Sequence, residues 1–244
     1  MESPQDEIRR RVVDELLELY ADFGDVVAAE EHRRVIPIAH GWYQQARRST
    51  QAMRTLQQGD LNHEAAPLRR LLFELAVGLQ WLTEATDAAV DALLHNWHSN
   101  RERLRRAVEE SAWTDDPQIL AAGQPLDVDP STAAEDRYLA FRHQCERLGR
   151  ESWYVMWLLE TSQSHATAAL AESYLSDDET NGIILIKNPW KPSPSADNLG
   201  AALLLAATAA FNSLLRDKPW TEVLTRLESE LRTTISSPTP ASGD

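Results

Sequence analysis

Between Pro67 and Glu84 the chain reads PLRRLLFELAVGLQWLTE, and no other stretch limits the fold as much. At 100° per residue, Leu68, Leu71, Leu72, Leu75, Leu79 and Leu82 share one face of a helix. Phe73, Val77 and Trp81 share the opposite face. A helix that is apolar on two sides must be packed on two sides, so it belongs at the centre of a helical core. Arg70 and Glu74, one turn apart, fall within the second apolar stripe beside Trp81. A charged pair placed there is either a buried structural ion pair or part of a site, because an unpaired charge out of water is strongly unfavourable.

The rest of the chain agrees with a helical reading. Only 9 of 244 residues are glycine, too few for the many positive-φ turns of an all-β or glycine-loop-rich α/β fold. The expected fold is all-α, a single-domain bundle of about seven or eight helices with two long irregular connections. Apolar spacing predicts a helix over residues 5–31 that weakens near Gly24, and a second from Pro37 to Gln58, stopped by Gly59 and Asp60. Of the second helix, Ile38, Trp42, Ala46, Met53 and Leu56 are the expected buried positions. The central helix breaks near Thr83–Thr86 and continues through Val90, Leu94, Trp97 and Val108. Thr132 and Glu135 fit a capping box opening a helix that carries Tyr138, Phe141 and Cys145 and ends at Gly149. The following helix, from Glu151, is apolar nearly all round in its first half and is expected to be buried. Two further helices are expected over 196–215 and 219–231.

Residues 111–130, rich in Pro and Asp, read as a loop with one short helical turn near 118–122; they would join halves 1–110 and 131–235 of a helical domain spanning 1–235. The second connection, 176–198, holds a brief extended segment over Gly182–Ile186, and residues 236–244 read as a disordered tail.

The net charge of −14 disfavours nonspecific contact with nucleic acid or anionic membrane, although arginines cluster locally, as at Arg9–Arg11 and Arg47–Arg48. Cys145 is the only cysteine, which suits a reducing compartment and precludes an internal disulfide. The opening MESPQDEIRRR has no apolar signal core. The most apolar run, Leu199–Leu215, is short for a membrane span and carries Thr208, Asn212 and Ser213, so it reads as a buried helix. The expected location is therefore the cytoplasm.

Three constellations could carry chemistry. On the helix from Glu151, His165 aligns with Tyr154, Leu158 and Thr161, flanked by Trp153 and Trp157. If that face meets the central helix, Arg70, Glu74, Tyr154 and His165 converge on one enclosed polar spot. Such a spot is either a satisfied core network or a place for acid–base work or anion binding. Asp91, His95, His98 and Glu102, spaced four, three and four, line one side of a helix as two-histidine metal sites do. That stripe lies away from Leu94 and Trp97 and is expected to face solvent, and one helix cannot complete a coordination sphere. Serine nucleophile elbows, phosphate-cradling loops and paired catalytic carboxylates are absent, and no cofactor is expected.

The third constellation is Arg34 and His40, with five residues between them. Their interval resembles the catalytic pair of HEPN ribonucleases, with Pro37 inside the interval and Val35 where a polar residue is usual. From Ala46 onward a leucine-ended helix, then LRRLLFELAVGLQWL, then a helix with a tyrosine and a histidine eleven residues on, resembles a widespread all-α bacterial family of unknown function with distant HEPN-like character. The family's arginine and glutamate one turn apart match Arg70 and Glu74, and its later helix matches Tyr154 and His165. The resemblance covers roughly residues 35–215 and implies a helical fold. Two functions are expected from these readings. The first is a non-enzymatic binding or interaction module, a homo-oligomer, whose polar core is structural or holds a small ligand. The alternative is a HEPN-like RNA-cleaving toxin or phage-defence effector using Arg34 and His40, or the Arg70–His165 region.

Overall fold

The computed structural model describes residues 4–21, 27–110, 134–172, 174–178, 183–186 and 195–236. Among them are nine α-helices: α1 (Pro4–Glu18), α2 (Ile36–Gln58), α3 (Ala66–Ala85), α4 (Asp87–Glu110), α5 (Phe141–Arg147), α6 (Glu151–Ser164), α7 (Ala168–Glu172), α8 (Ser195–Ser213) and α9 (Thr221–Ser236). Two short strands, β1 (Leu175–Asp178) and β2 (Ile183–Ile186), pair antiparallel with Leu175 opposite Ile186. The extended segment expected near Ile186 is thus one strand of a small ladder. The loop of 111–130 and the tail beyond Ser236 lie outside the described residues.

The central helix is α3, as its two-sided apolar pattern requires. It packs against α8, α2, α6, α5 and α4. Leu72, Leu75, Leu79 and Leu82 are buried on one side, and Phe73, Val77 and Trp81 on the other. One continuous apolar cluster runs from Val12 in α1 to Leu231 in α9 and so draws on residues on both sides of 111–133. The α3–α4 break falls at Thr86, whose φ of 48° turns the chain between the two helices. A β-branched residue rarely adopts that backbone, so the turn is held by its surroundings.

Packing between α2 and α3 depends on Gly78. A Cβ there would lie 2.9 Å from Cζ3 of Trp42, so the indole lies flush against the α3 backbone. Tyr43 stacks on Phe211 of α8 at 4.5 Å between ring centroids, with Trp220 6.0 Å from each. Thr208 and Ser213 of α8 donate to carbonyls of their own helix, whereas Asn212 serves the junction with α9. Asn212 Oδ1 accepts from the backbone N–H of Trp220 at 3.0 Å, and its amide donates to Thr221 Oγ1 at 3.2 Å. No helix among the described residues is long and apolar enough to cross a membrane.

Three expectations are corrected. The first helix ends at Glu18 rather than running to residue 31; beyond it Ala28 forms a bridge with Leu215, and a 3₁₀ turn spans Glu30–His32. Backbone pairing with the end of α8 takes those residues away from a helical path. Thr132 lies outside the described residues, and Glu135 opens no helix: its carboxylate accepts from Trp81 Nε1 at 3.0 Å and from Arg147, ahead of a 3₁₀ turn (Asp136–Leu139) and then α5. Lastly, α6 contains no buried residue despite its WYVMWLL core: among the described residues α3, α5 and the short α7 are the helices that meet it, and Val155, Leu158 and Leu159 stay exposed.

Candidate functional site

The chemistry gathers where α6 crosses α3. Arg69, one residue before the expected arginine, is the buried one, with its side chain only 8% exposed. Its Nε donates to Glu160 Oε1 of α6 at 2.9 Å and its Nη1 to the carbonyl of Asn62 at 2.9 Å. Sequence reading overlooked it, although Leu72, Phe73 and Ala76, three, four and seven residues on, are all buried on its face. Burial of a guanidinium is tolerated because a carboxylate and a carbonyl take up its donors. The second oxygen of Glu160, Oε2, is buried and meets no donor among the described residues.

Arg70 lies beside this pair in a half-exposed cluster. Its Nη2 is 3.1 Å from Glu74 Oε1, one turn on, with the two side chains 28% and 35% exposed. Its Nη1 meets His165 Nε2 at 3.2 Å, just past the end of α6. A guanidinium carries only donors, so His165 Nε2 accepts and its proton resides on Nδ1 in this arrangement. The guanidinium carbon stands 5.2 Å from the centroid of the Trp157 ring. Trp157 Nε1 in turn donates to Glu74 Oε1 at 2.9 Å. Tyr154 stacks on Trp157 at 5.8 Å and contributes its ring rather than its hydroxyl.

The structure therefore brings together Arg70, Glu74, Tyr154 and His165, with Trp157 at their centre. The arrangement is a clasp: the Arg70–His165 hydrogen bond, the Trp157–Glu74 hydrogen bond and the Arg70–Trp157 cation–π contact join α6 and the residue after it to α3, beside the Arg69–Glu160 ion pair, while Arg70–Glu74 braces α3 from within. The basic nitrogen of His165 is occupied by a cation, which leaves no lone pair directed at a substrate proton.

The other candidates are committed to separate partners. Arg34 reaches α4, where it pairs with Asp91 at 2.6 Å and Asp87 at 3.3 Å, both carboxylates raising its affinity for the proton. His40 Nε2 meets the Tyr20 hydroxyl at 2.7 Å and the Gln44 amide at 3.3 Å. The α4 stripe is dispersed in the same way. Asp91 is held by Arg34, His95 Nδ1 lies 2.8 Å from Asp136, and Arg105 holds the Glu102 carboxyl below the ordinary carboxylate range. His98 Nδ1 is buried without a partner among the described residues. No three His, Cys, Asp or Glu side chains among the described residues are gathered closely enough to hold a metal ion. Asp91, His95, His98 and Glu102 therefore share a helix without converging on one point. Of that stripe Asp91 is exposed as expected, but His95 turns toward the 3₁₀ turn at Asp136, and Trp97 also faces solvent, with Arg101 5.6 Å from its ring.

Beyond the clasp, the outer side of α6 is apolar and open. Val155, Leu158 and Leu159 are 57%, 44% and 58% exposed. Compared with protein-family models, curated proteins and solved structures, the chain matches none.

Proposed function

We propose that this chain is a non-enzymatic helical interaction module, and that the outer face of α6 pairs with the same face of a second copy. The observation that carries this reading is the exposure of Val155, Leu158 and Leu159 on a helix that the Arg69–Glu160 pair and the Arg70 clasp hold in place. Residues at i, i+3 and i+4 form the stripe that helices use to pack on one another. A single apolar stripe with no charge among these three residues can meet its own copy across a two-fold axis. The polar clasp supports the proposal from behind, since a presenting helix must be fixed in direction before its face can be complementary to anything.

Sedimentation equilibrium of the full chain tests it. A concentration-dependent dimer is expected, abolished in Val155→Glu/Leu159→Glu with no loss of thermal stability of the monomer. A wild-type chain that stays monomeric at all accessible concentrations overturns the self-pairing. Cellular RNA left intact by the purified protein is the accompanying expectation. Cleavage relieved by His40→Ala or His165→Ala would replace this reading with the ribonuclease one.

A further inference from the structure

A cavity of about 550 Å³ opens between α8 and α9 and is closed on a third side by Arg150 and Trp153 at the start of α6. It contains none of the clasp residues and none of the three exposed apolar residues of α6. Its floor includes Leu205, Ala206 and Ala209 of α8, and Leu224 and Leu231 of α9 stand in its wall. Leu205 and Ala206 are half-buried and Ala209 is exposed, so this apolar floor is open to water. The α8 lining runs from Ala202 to Ser213, about 16 Å along the helix axis, which makes the space elongated. A concave, largely apolar space of this size is the usual form of a small-ligand site.

Four charged side chains line the cavity, and they do not cancel. Arg232 donates to Glu228 at 2.7 Å. Arg150 and Lys218 are exposed and take part in no ion pair among the described residues. Both stand on fixed backbone. The Arg150 N–H donates to the carbonyl of Cys145 at 2.8 Å, and its guanidinium carbon lies 5.1 Å from the centroid of the Trp153 ring. The carbonyl of Lys218 accepts from the Thr221 N–H at 3.1 Å and from Thr221 Oγ1 at 2.7 Å, and Asn212 braces the same turn through Thr221. On a chain whose net charge is −14, two such cations beside an open apolar floor complement a ligand that is anionic at one end and apolar along the rest.

We infer that this cavity binds a small amphipathic carboxylate, a linear hydrocarbon chain with one anionic head, of the medium-chain fatty acid type. Arg150 and Lys218 supply the charge that selects the head, and a guanidinium matches a carboxylate in two parallel N–H bonds. The hydrocarbon covers Leu205, Ala206 and Ala209 and gains affinity from the area it removes from water.

Titration calorimetry and thermal shift on the full chain, with octanoate as probe, test the inference. Saturable one-to-one binding that raises Tm is expected. Affinity should rise by up to about fourfold per methylene from hexanoate to octanoate, with octanol and octylamine at least about tenfold weaker than octanoate. Lys218→Gly is the cleanest variant, because Lys218 adopts a φ of 45° that glycine reaches without strain. It should weaken octanoate about tenfold with Tm retained, and Arg150→Gln should do the same. Ala209→Leu sets a good helix former on the exposed floor and should abolish binding with the fold intact. No saturable binding by the wild type, undiminished binding in Ala209→Leu or in the Lys218→Gly/Arg150→Gln double variant, or equal binding of octanol would each overturn it. Dissociation of a dimer by octanoate or by Ala209→Leu would put a second copy in the groove and overturn it as well.

Discussion

Two helix contacts in this molecule are made in opposite ways. Where α2 meets α8, Tyr43 and Phe211 are wholly buried and stacked at 4.5 Å, with Trp220 closing over them. Where α3 meets α6, Trp153, Met156 and Trp157 pack on the core only partly buried, and directed contacts run beside them: Arg69 with Glu160, Trp157 with Glu74, Arg70 with His165, and Phe73 edge-on to Trp153 at 6.1 Å. The first contact draws on the area it removes from water, has no direction, and fails by leaving a void. The second draws on hydrogen bonds, which fix direction but add little net stability. The aromatic seam therefore holds the fold, and the polar clasp sets the angle at which one helix is displayed.

Substitutions should separate the two. Phe211→Ala opens a cavity in the seam and should destabilise the protein by about 3–5 kcal/mol, lowering Tm by roughly 10 °C or more in a thermal melt. Gly78→Ala should cost about 1–3 kcal/mol although alanine is the better helix former, because the new methyl meets the Trp42 ring at 2.9 Å. A gain in stability there would show that the indole has room to retreat. Trp157→Phe keeps a ring and removes the N–H that Glu74 accepts, for a loss of about 1–2 kcal/mol. Its signature is local: hydrogen exchange should quicken in α6 and stay unchanged in α8. Equal quickening in both helices would mean that seam and clasp are one cooperative unit.

The smallest effect is alkaline. Burial pushes the Tyr43 hydroxyl from 10.0 up to about 12 and the Cys145 thiol from 9.0 up to about 11. The unfolded chain loses both protons first as pH rises, so the stability that depends on them is intact below about pH 9 and declines between about 9 and 12. Tm measured against pH should fall across that window, and less steeply in Tyr43→Phe, which lacks the seam's share. The same burial predicts that Cys145 resists thiol reagents at neutral pH until the protein unfolds.

Much of this contrast could be read from the residues in order. The two-sided stripe of α3 placed that helix at the centre, and the spacing of Arg70, Glu74, Tyr154 and His165 brought those four to one spot. Tyr43 was passed over because its neighbour Trp42 is the larger apolar residue, yet the helix turns so that Tyr43 lies wholly inside and Trp42 lies across Gly78. Arg69 and Arg70 are alike in sequence for a similar reason: adjacent arginines differ by 100° on a helix, and only the neighbour that faces them decides which is buried. Glu135 had the right type and spacing for a cap and became instead the partner of Trp81 and Arg147.

Periodicity along the chain determined the helices, their central member and the residues able to meet across it, because these follow from the angle each residue adds to a helix. Tertiary structure alone decided how far α6 is covered. Its sequence is apolar enough to be buried on every side, but burial needs neighbours, and among the described residues α3, α5 and α7 leave Val155, Leu158 and Leu159 exposed. The same holds for the buried aromatic seam, where Tyr43, Phe211 and Trp220 come from parts of the chain that are distant in sequence and meet only when it is packed.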